Sequence, residues 1–250
     1  MRVKSKVKTK KMSKITRFYS QKLSKGQKVS IQGEEARHMH VLRLKKGDQI
    51  CLFDGSGSEL KGRIDSISPK KVDITVLARE KVRIQGVCVD LATAVPKGKR
   101  FDWMIQKATE LGIVRILPLI MQRSVVKPKK GGKSERWHRI AVEAAKQSQR
   151  KTIPEITEVL SFNEFLDFIH RYDLKLIALP TAKQHIKEVL RKRKPKRILC
   201  LIGPEGGFID EEIKKAEEKG FKPVNLGKEV LRVETAGTAM LAMVKYEYNQ

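Results

Sequence analysis

A change of rhythm near residue 82 divides this chain and limits what it can fold into. From Ile15 to about Val82, apolar residues alternate with polar ones in short runs. Residues 28–31, 49–53, 60–67 and 72–76 have the period of two expected of half-buried strands. Lys46-Gly47-Asp48, Asp54-Gly55-Ser56-Gly57 and Ser68-Pro69-Lys70 separate them as turns, and one helical piece, residues 34–42, interrupts them. A small β-barrel that presents a surface rather than a pocket is the expected outcome.

Beyond Arg83 the apolar residues come in continuous runs, divided by stretches of helical spacing. Strands are expected at residues 86–94, 114–120, 174–179, 197–202 and 222–226. Phe101, Met104, Ile105, Ala108 and Leu111 recur as a helix face, stopped by Gly112. Ser134 caps a second helix, with Trp137, Ile140, Ala141, Ala144, Ala145 and Ser148 on its face. Ser161 with Glu164 forms a capping box before Phe162, Phe165, Leu166 and Ile169. Helices follow at residues 210–219, closed by Gly220, and at about 235–246. Strands alternating with helices imply βαβ units and a mostly parallel sheet, which binds ligands beyond the carboxyl ends of its strands.

Charge narrows the partner. Lys and Arg number 54 against 28 Asp and Glu, a formal net charge of +26. Such a surface repels itself unless a polyanion uses it, and nucleic acid is the first expectation. Residues 1–14 carry seven basic residues and no acid, the pattern of a disordered arm available to phosphates. The three cysteines, Cys51, Cys88 and Cys200, are widely spaced, which argues against a disulfide framework or a zinc ribbon and fits a reducing compartment. No apolar run approaches the ~18–20 residues that span a bilayer, and no apolar stretch follows the basic start as in a secretory signal. A cytoplasmic protein without metal is expected.

Familiar chemistries are mostly missing. No G-x-G-x-x-G follows a strand, and no G-x-S-x-G elbow occurs. Gly132-Lys133-Ser134 would end a P-loop only if residue 127 were glycine, and it is Lys127. The five histidines lack metal-ligand spacing. Two segments remain. Leu201-Ile202 runs into Gly203-Pro204-Glu205-Gly206-Gly207-Phe208, a glycine-rich turn where a parallel strand should end and a backbone can approach a ligand. Leu226 to Ala239 leads from a strand through a loop to small residues at a helix start. By pattern alone, Arg232 and Glu234 there form a surface ion pair and a helix cap.

Taken in order, several segments resemble the RsmE family. These are Arg37-His38 with Val41-Leu42-Arg43, Lys107-Ala108-Thr109-Glu110-Leu111-Gly112, and Arg136-Trp137 with Glu143-Ala144-Ala145. They continue with Gln147-Ser148-Gln149-Arg150, Ile202 to Gly207, and Leu231-Arg232-Val233-Glu234-Thr235-Ala236. The likeness covers about Arg17 to Ala242. Residues 1–14 are an extension it does not explain, and Val233 stands where threonine is common.

The resemblance implies a SPOUT-type α/β domain with a C-terminal trefoil knot and parallel sheet (residues 83–250), preceded by a small PUA-like β-barrel that binds RNA (residues 15–82). It implies methylation of N3 of a specific uridine in 16S rRNA, within the small ribosomal subunit, by a homodimer using S-adenosyl-L-methionine. The cofactor site then falls on Leu179, Pro180, Gly203, Glu205, Gly207, Leu226, Gly227 and Leu231, with Leu201, Leu226 and Leu231 as apolar walls. Arg232 would stabilise the anionic base, and Glu234 would orient that arginine or accept a proton. Arg17 and Arg43 would contact RNA, helped by the N-terminal arm and the basic stretches 123–139 and 191–197. The last helix and its neighbours would build the dimer surface, with apolar area from Met240, Leu241, Met243 and Val244, part of that stripe being ordinary core. The competing reading is a non-catalytic RNA-binding or ribosome-assembly protein on the same fold.

Overall fold

The computed structural model describes residues 15–21, 23, 25–82, 86–128, 134–169, 171–191 and 194–248. The basic arm 1–14, His170 and parts of both internal basic stretches, with Gly132 and Lys133, lie outside the described residues. The chain divides into two compact units. One ends at Lys81 and leaves out Gly55–Gly57, which belong with the second unit, from Val82 onward.

The first unit is built from β1 (Thr16–Tyr19), β2 (Lys28–Gln32), α1 (Glu34–Val41), β3 (Gln49–Phe53), β4 (Ser58–Ile67) and β5 (Lys71–Lys81). Its strands form one sheet in the order β1-β3-β4-β5-β2, antiparallel except where β1 lies along β3. Alternation sends Val29 and Ile31 of β2 inward, where they meet Phe18, Ile50, Leu60, Ile64 and Ile74. Ala36 and Met39 of α1 close this core. The sequence pattern missed β1, a strand of four residues with a single fully buried side chain, Phe18.

Arg17 of β1 turns inward. Its side chain is 13% exposed, its Nη1 lies 2.5 Å from Glu59 Oε2, and its guanidinium stands 5.1 Å over the Phe53 ring. Glu59 is 5% exposed, so Arg17 neutralises a buried carboxylate rather than facing solvent. Arg17→Ala is expected to destabilise this unit by about 3 kcal/mol, because it strands a buried charge. Urea unfolding followed by a probe in the first unit would measure it, and a change below about 1 kcal/mol, the value of a surface pair, would refute the role. Arg43, by contrast, is exposed and holds a positive φ of 57° at the turn after α1.

The second unit runs β6 (Cys88–Ala94), α2 (Arg100–Glu110), β7 (Arg115–Ile120), α3 (Ser134–Gln147), β8 (Glu155–Ile156), β9 (Leu160–Ser161) and α4 (Phe162–Asp167). It continues with β10 (Leu174–Ala178), α5 (Ile186–Arg191), β11 (Arg197–Ile202), α6 (Asp210–Glu218), β12 (Phe221–Val224) and α7 (Val233–Tyr248). Its seven-stranded sheet has the order β12-β10-β11-β6-β7-β8, with β9 also beside β7, and every pairing is parallel. Helices cover both faces, which is why the strands are continuously apolar. Met104, Trp137, Ile186 and Met240, from α2, α3, α5 and α7, share one core. Phe162 and Phe165 of α4 and Ala216 of α6 fill the other.

Local chemistry sets the ends of these elements. Ser161 Oγ accepts from Glu164 N at 3.3 Å and Glu164 Oε2 accepts from Ser161 N at 2.7 Å, so the expected capping box starts α4. Ser134, expected as the cap of α3, is its first described residue, and the residues just before it lie outside the described ones. Helix α5 was not expected, since six residues show too little of the helical period.

Much of the apolar stripe of the last helix is ordinary core. Met240, Leu241 and Val244 are fully buried in the unit's own core, and Met243 packs against it. Helix α7 lies against α2, β6 and β11, so its apolar stripe is interior. Among the described residues, no helix is long and apolar enough to cross a membrane.

Candidate active site

Strands β12, β10 and β11 are adjacent and parallel, so the loops that follow them emerge at one edge of the sheet. Those loops hold Leu179 and Pro180 after β10, Gly203, Glu205 and Gly207 after β11, and Leu226, Gly227, Leu231 and Arg232 after β12. Glu234 follows in the first turn of α7. The fold therefore gathers every candidate of the second unit on the carboxyl edge, while Arg17 and Arg43 belong to the first unit.

Backbone bonds tie the loop after β10 to the loop after β12. Leu179 N donates to Val224 O at 2.9 Å, Asn225 N to Gln184 O at 2.9 Å, and Ile186 N to Asn225 O at 3.1 Å. The Asn225 side chain adds a bond from Nδ2 to Ala182 O at 2.8 Å.

The loop after β11 is shaped by its glycines. A Cβ at Gly203 would stand 2.7 Å from the Phe208 ring, so only glycine lets that ring fold back under the strand end. Gly207 has φ +71°, its N donates to Pro204 O at 2.9 Å, and nothing lies within 4 Å of where a Cβ would stand. The turn is closed on its inner side and open on its outer side.

Glu205 and Glu234 converge on Arg100, a residue that the sequence reading did not single out. Arg100 Nη1 is 3.8 Å from Glu205 Oε1, and its Nε is 3.8 Å from Glu234 Oε1. Lys97 N also donates to Glu205 Oε1 at 3.3 Å. The available signal was the cluster Lys97-Gly98-Lys99-Arg100, directly after a buried strand on the ligand edge. The Glu234 side chain is 14% exposed, and its Oε2 is buried without a hydrogen-bond partner among the described residues. Arg232, just before α7, is exposed and makes no ion pair among the described residues; its carbonyl accepts from Ala236 N at 2.8 Å. Glu234 thus faces Arg100, with no bond to Arg232.

Leu179, Leu226 and Leu231 are half-buried at the loops, as walls of a site would be. Leu201, also expected as a wall, is fully buried within β11 and belongs to the core beneath α4 and α6. Arg197, from the second basic stretch, lies at the opposite end of β11, 5.4 Å over the Tyr172 ring. Among the described residues, no group of three His, Cys, Asp or Glu could hold a metal ion.

The family model for an RNA methyltransferase domain matches residues 85–245, and that for an RNA methyltransferase PUA domain matches residues 31–77. The Ribosomal RNA small subunit methyltransferase E of Bacillus subtilis is 34% identical over 238 residues, covering 91% of this chain and 93% of its own. The chain belongs to the small-subunit ribosomal RNA methyltransferase E family. The family member from Synechocystis is 36% identical over 207 residues, covering 82% of this chain and 68% of its own. A crystal structure of the Neisseria gonorrhoeae member, bound to S-adenosyl methionine, superposes with a TM-score of 0.85 at 31% identity, over 93% of this chain and 97% of that one. The α/β domain with its parallel sheet and the preceding PUA-type unit are therefore those of this methyltransferase family.

Proposed function

We propose that this methyltransferase transfers the methyl group of S-adenosylmethionine to N3 of a uridine in 16S rRNA. The observation that carries this reading is the convergence of three loops, one glycine-rich, beyond adjacent parallel strands. The residues present suit the methyl donor. Leu179, Leu226 and Leu231 offer apolar walls for a flat adenine. The open side of Gly207 lets backbone approach it. When bound, S-adenosylmethionine supplies a methyl group on a sulfonium sulfur.

The chain's own residues handle the base. Uridine N3 carries a proton that must leave as the N–methyl bond forms. Arg232, exposed on this edge, would stabilise negative charge on the uracil carbonyls. Glu234 would accept the N3 proton through its unpartnered oxygen. Methyl transfer needs alignment more than covalent help, and the loops after β10 and β12, tied to each other by backbone bonds, contribute it.

Arg43 would contact RNA phosphates from the first unit, and the net charge of +26 supports a polyanionic partner. Arg17 has its inward role instead. The trefoil knot, the homodimer and the cytoplasmic location belong to this proposal. The order β12-β10-β11, in which the chain leaves β11 and returns beyond β10, is consistent with the knot.

The test uses small ribosomal subunits from cells lacking this activity, with isotopically labelled S-adenosylmethionine. Digestion and mass spectrometry should find labelled 3-methyluridine at one site. A different labelled nucleoside would move the target. No label, despite measured donor binding, would favour the non-catalytic RNA-binding reading.

A further inference from the structure

The loop Gly203 to Ile209 is held from the side by the turn after β7, through side chains that the reaction scheme above does not use. Arg123, expected from the sequence to meet RNA, points instead at this loop. Its Nη1 donates to Gly206 O at 3.1 Å and to Phe208 O at 3.5 Å. Gly206 lies so close that a Cβ there would stand 3.1 Å from Arg123 Cβ. Glu212, in the first turn of α6, is 6% exposed. Its Oε2 accepts from Ile209 N at 3.1 Å, and its Oε1 accepts from Gln122 N at 2.9 Å. The turn that presents Gln122 and Arg123 is itself closed, because Ser124 Oγ accepts from Met121 N at 2.9 Å and Ser124 N donates to Met121 O at 3.1 Å.

We propose that Arg123 and Glu212 are positioning residues that clamp the Gly203–Ile209 loop from the β7 side and hold it ready for the methyl donor. The chemistry of the pair is specific. A carboxylate only accepts, and both of its oxygens are taken by backbone N–H groups of two different loops. A guanidinium only donates, and here it meets two carbonyls of one loop. A segment with three glycines has wide conformational freedom when unrestrained, and ordering it on binding would subtract from affinity. Fixing the loop beforehand removes that loss. The donor part of this inference rests on the function proposed above; the clamp itself does not.

Two measurements on the full chain separate them. Amide hydrogen exchange of the unliganded protein reports the clamp directly. Arg123→Ala and Glu212→Gln should each speed exchange across residues 203–209 by about tenfold, the equivalent of one net hydrogen bond. Calorimetry and steady-state kinetics report its purpose: Kd and KM for S-adenosylmethionine should rise by about tenfold, while KM for the RNA substrate stays within about twofold. Arg123→Lys, which keeps one donor group within reach, should recover part of the loss.

Unchanged exchange in both variants would overturn the clamp, whatever the donor does. Faster exchange with an unchanged donor Kd would reduce it to a purely structural tie and overturn the link to the donor. A rise in KM for RNA alone would return Arg123 to the phosphate contact that its sequence context suggests. If the unaltered protein binds no S-adenosylmethionine, the proposed donor fails, and the exchange data alone decide the clamp.

Discussion

Arg232→Ala is expected to lower kcat by about 10²–10³, the usual effect of removing one group that stabilises developing negative charge. Donor affinity should change by less than about twofold, since an interaction made only in the transition state lowers kcat without weakening binding. The fold should not notice. Arg232 is exposed and makes no ion pair among the described residues, and its backbone role, accepting the first bond of α7, survives substitution. Surface replacements of this kind stay within about 0.5 kcal/mol of the parent stability. Arg232→Lys should recover only part of the rate, because a point charge cannot match a planar fork across a uracil carbonyl. Single-turnover methylation with saturating donor and RNA would measure the step directly. A normal rate with a raised KM for RNA would make Arg232 a phosphate contact, and a raised donor Kd would make it a cofactor ligand. Either result would pass the base-stabilising role to another group on this edge, where Arg100 is the nearest cation to both carboxylates.

The parts of this site legible in the sequence are those that depend on backbone. Gly203, Gly206 and Gly207 after an apolar run announce a strand end that approaches a ligand, and the parallel sheet places that end beside Leu179 and Leu226. Side-chain direction was not legible. Arg17 and Arg123 sit among basic residues, and a one-dimensional pattern cannot show that one is aimed at a buried glutamate and the other at loop carbonyls. The same limit applies to the last helix. Met240, Leu241, Met243 and Val244 look alike as an interface and as a core, and only the neighbouring α2, β6 and β11 decide it. Short elements were lost for a different reason. Strand β1 and helix α5 are too brief for periodicity to register, and partners distant in sequence hold them. The far half of β5 is mostly exposed and shows no alternation, so it is a strand because β4 pairs with it.

The second large effect lies at the opposite end of the sheet. Asp90 of β6 is 1% exposed, a carboxylate inside a strand whose other residues are apolar apart from Thr93. Register places it between Arg115 of β7 and Leu199 of β11. Its Oδ2 accepts from Tyr172 Oη at 2.6 Å and from Arg115 Nη2 and Nε at 3.2 and 3.3 Å, and Arg197 Nη2 stands 3.8 Å away. Asp90→Ala should destabilise the second unit by about 3 kcal/mol, since it removes charge-assisted bonds and leaves the tyrosine hydroxyl without its acceptor. In a unit of this size that corresponds to roughly 6–12 °C in Tm. Tyr172→Phe provides the cross-check through pH. Burial, then the bond to Asp90 and its charge, raise the Tyr172 hydroxyl above its ordinary value of 10.0. A raised folded-state value means that the folded protein keeps a proton which the unfolded chain releases, so stability falls as pH climbs above about 10. The parent protein should lose stability in that window, and Tyr172→Phe should lose less of it. A double-mutant cycle between the two positions should show coupling above about 1 kcal/mol, as directly bonded groups do. An Asp90→Ala loss below about 1 kcal/mol, with additive effects, would mean that the arginines are satisfied by solvent and the aspartate is dispensable. Donor binding at the far edge serves as the control, because among the described residues that edge shares no side-chain bond with this cluster.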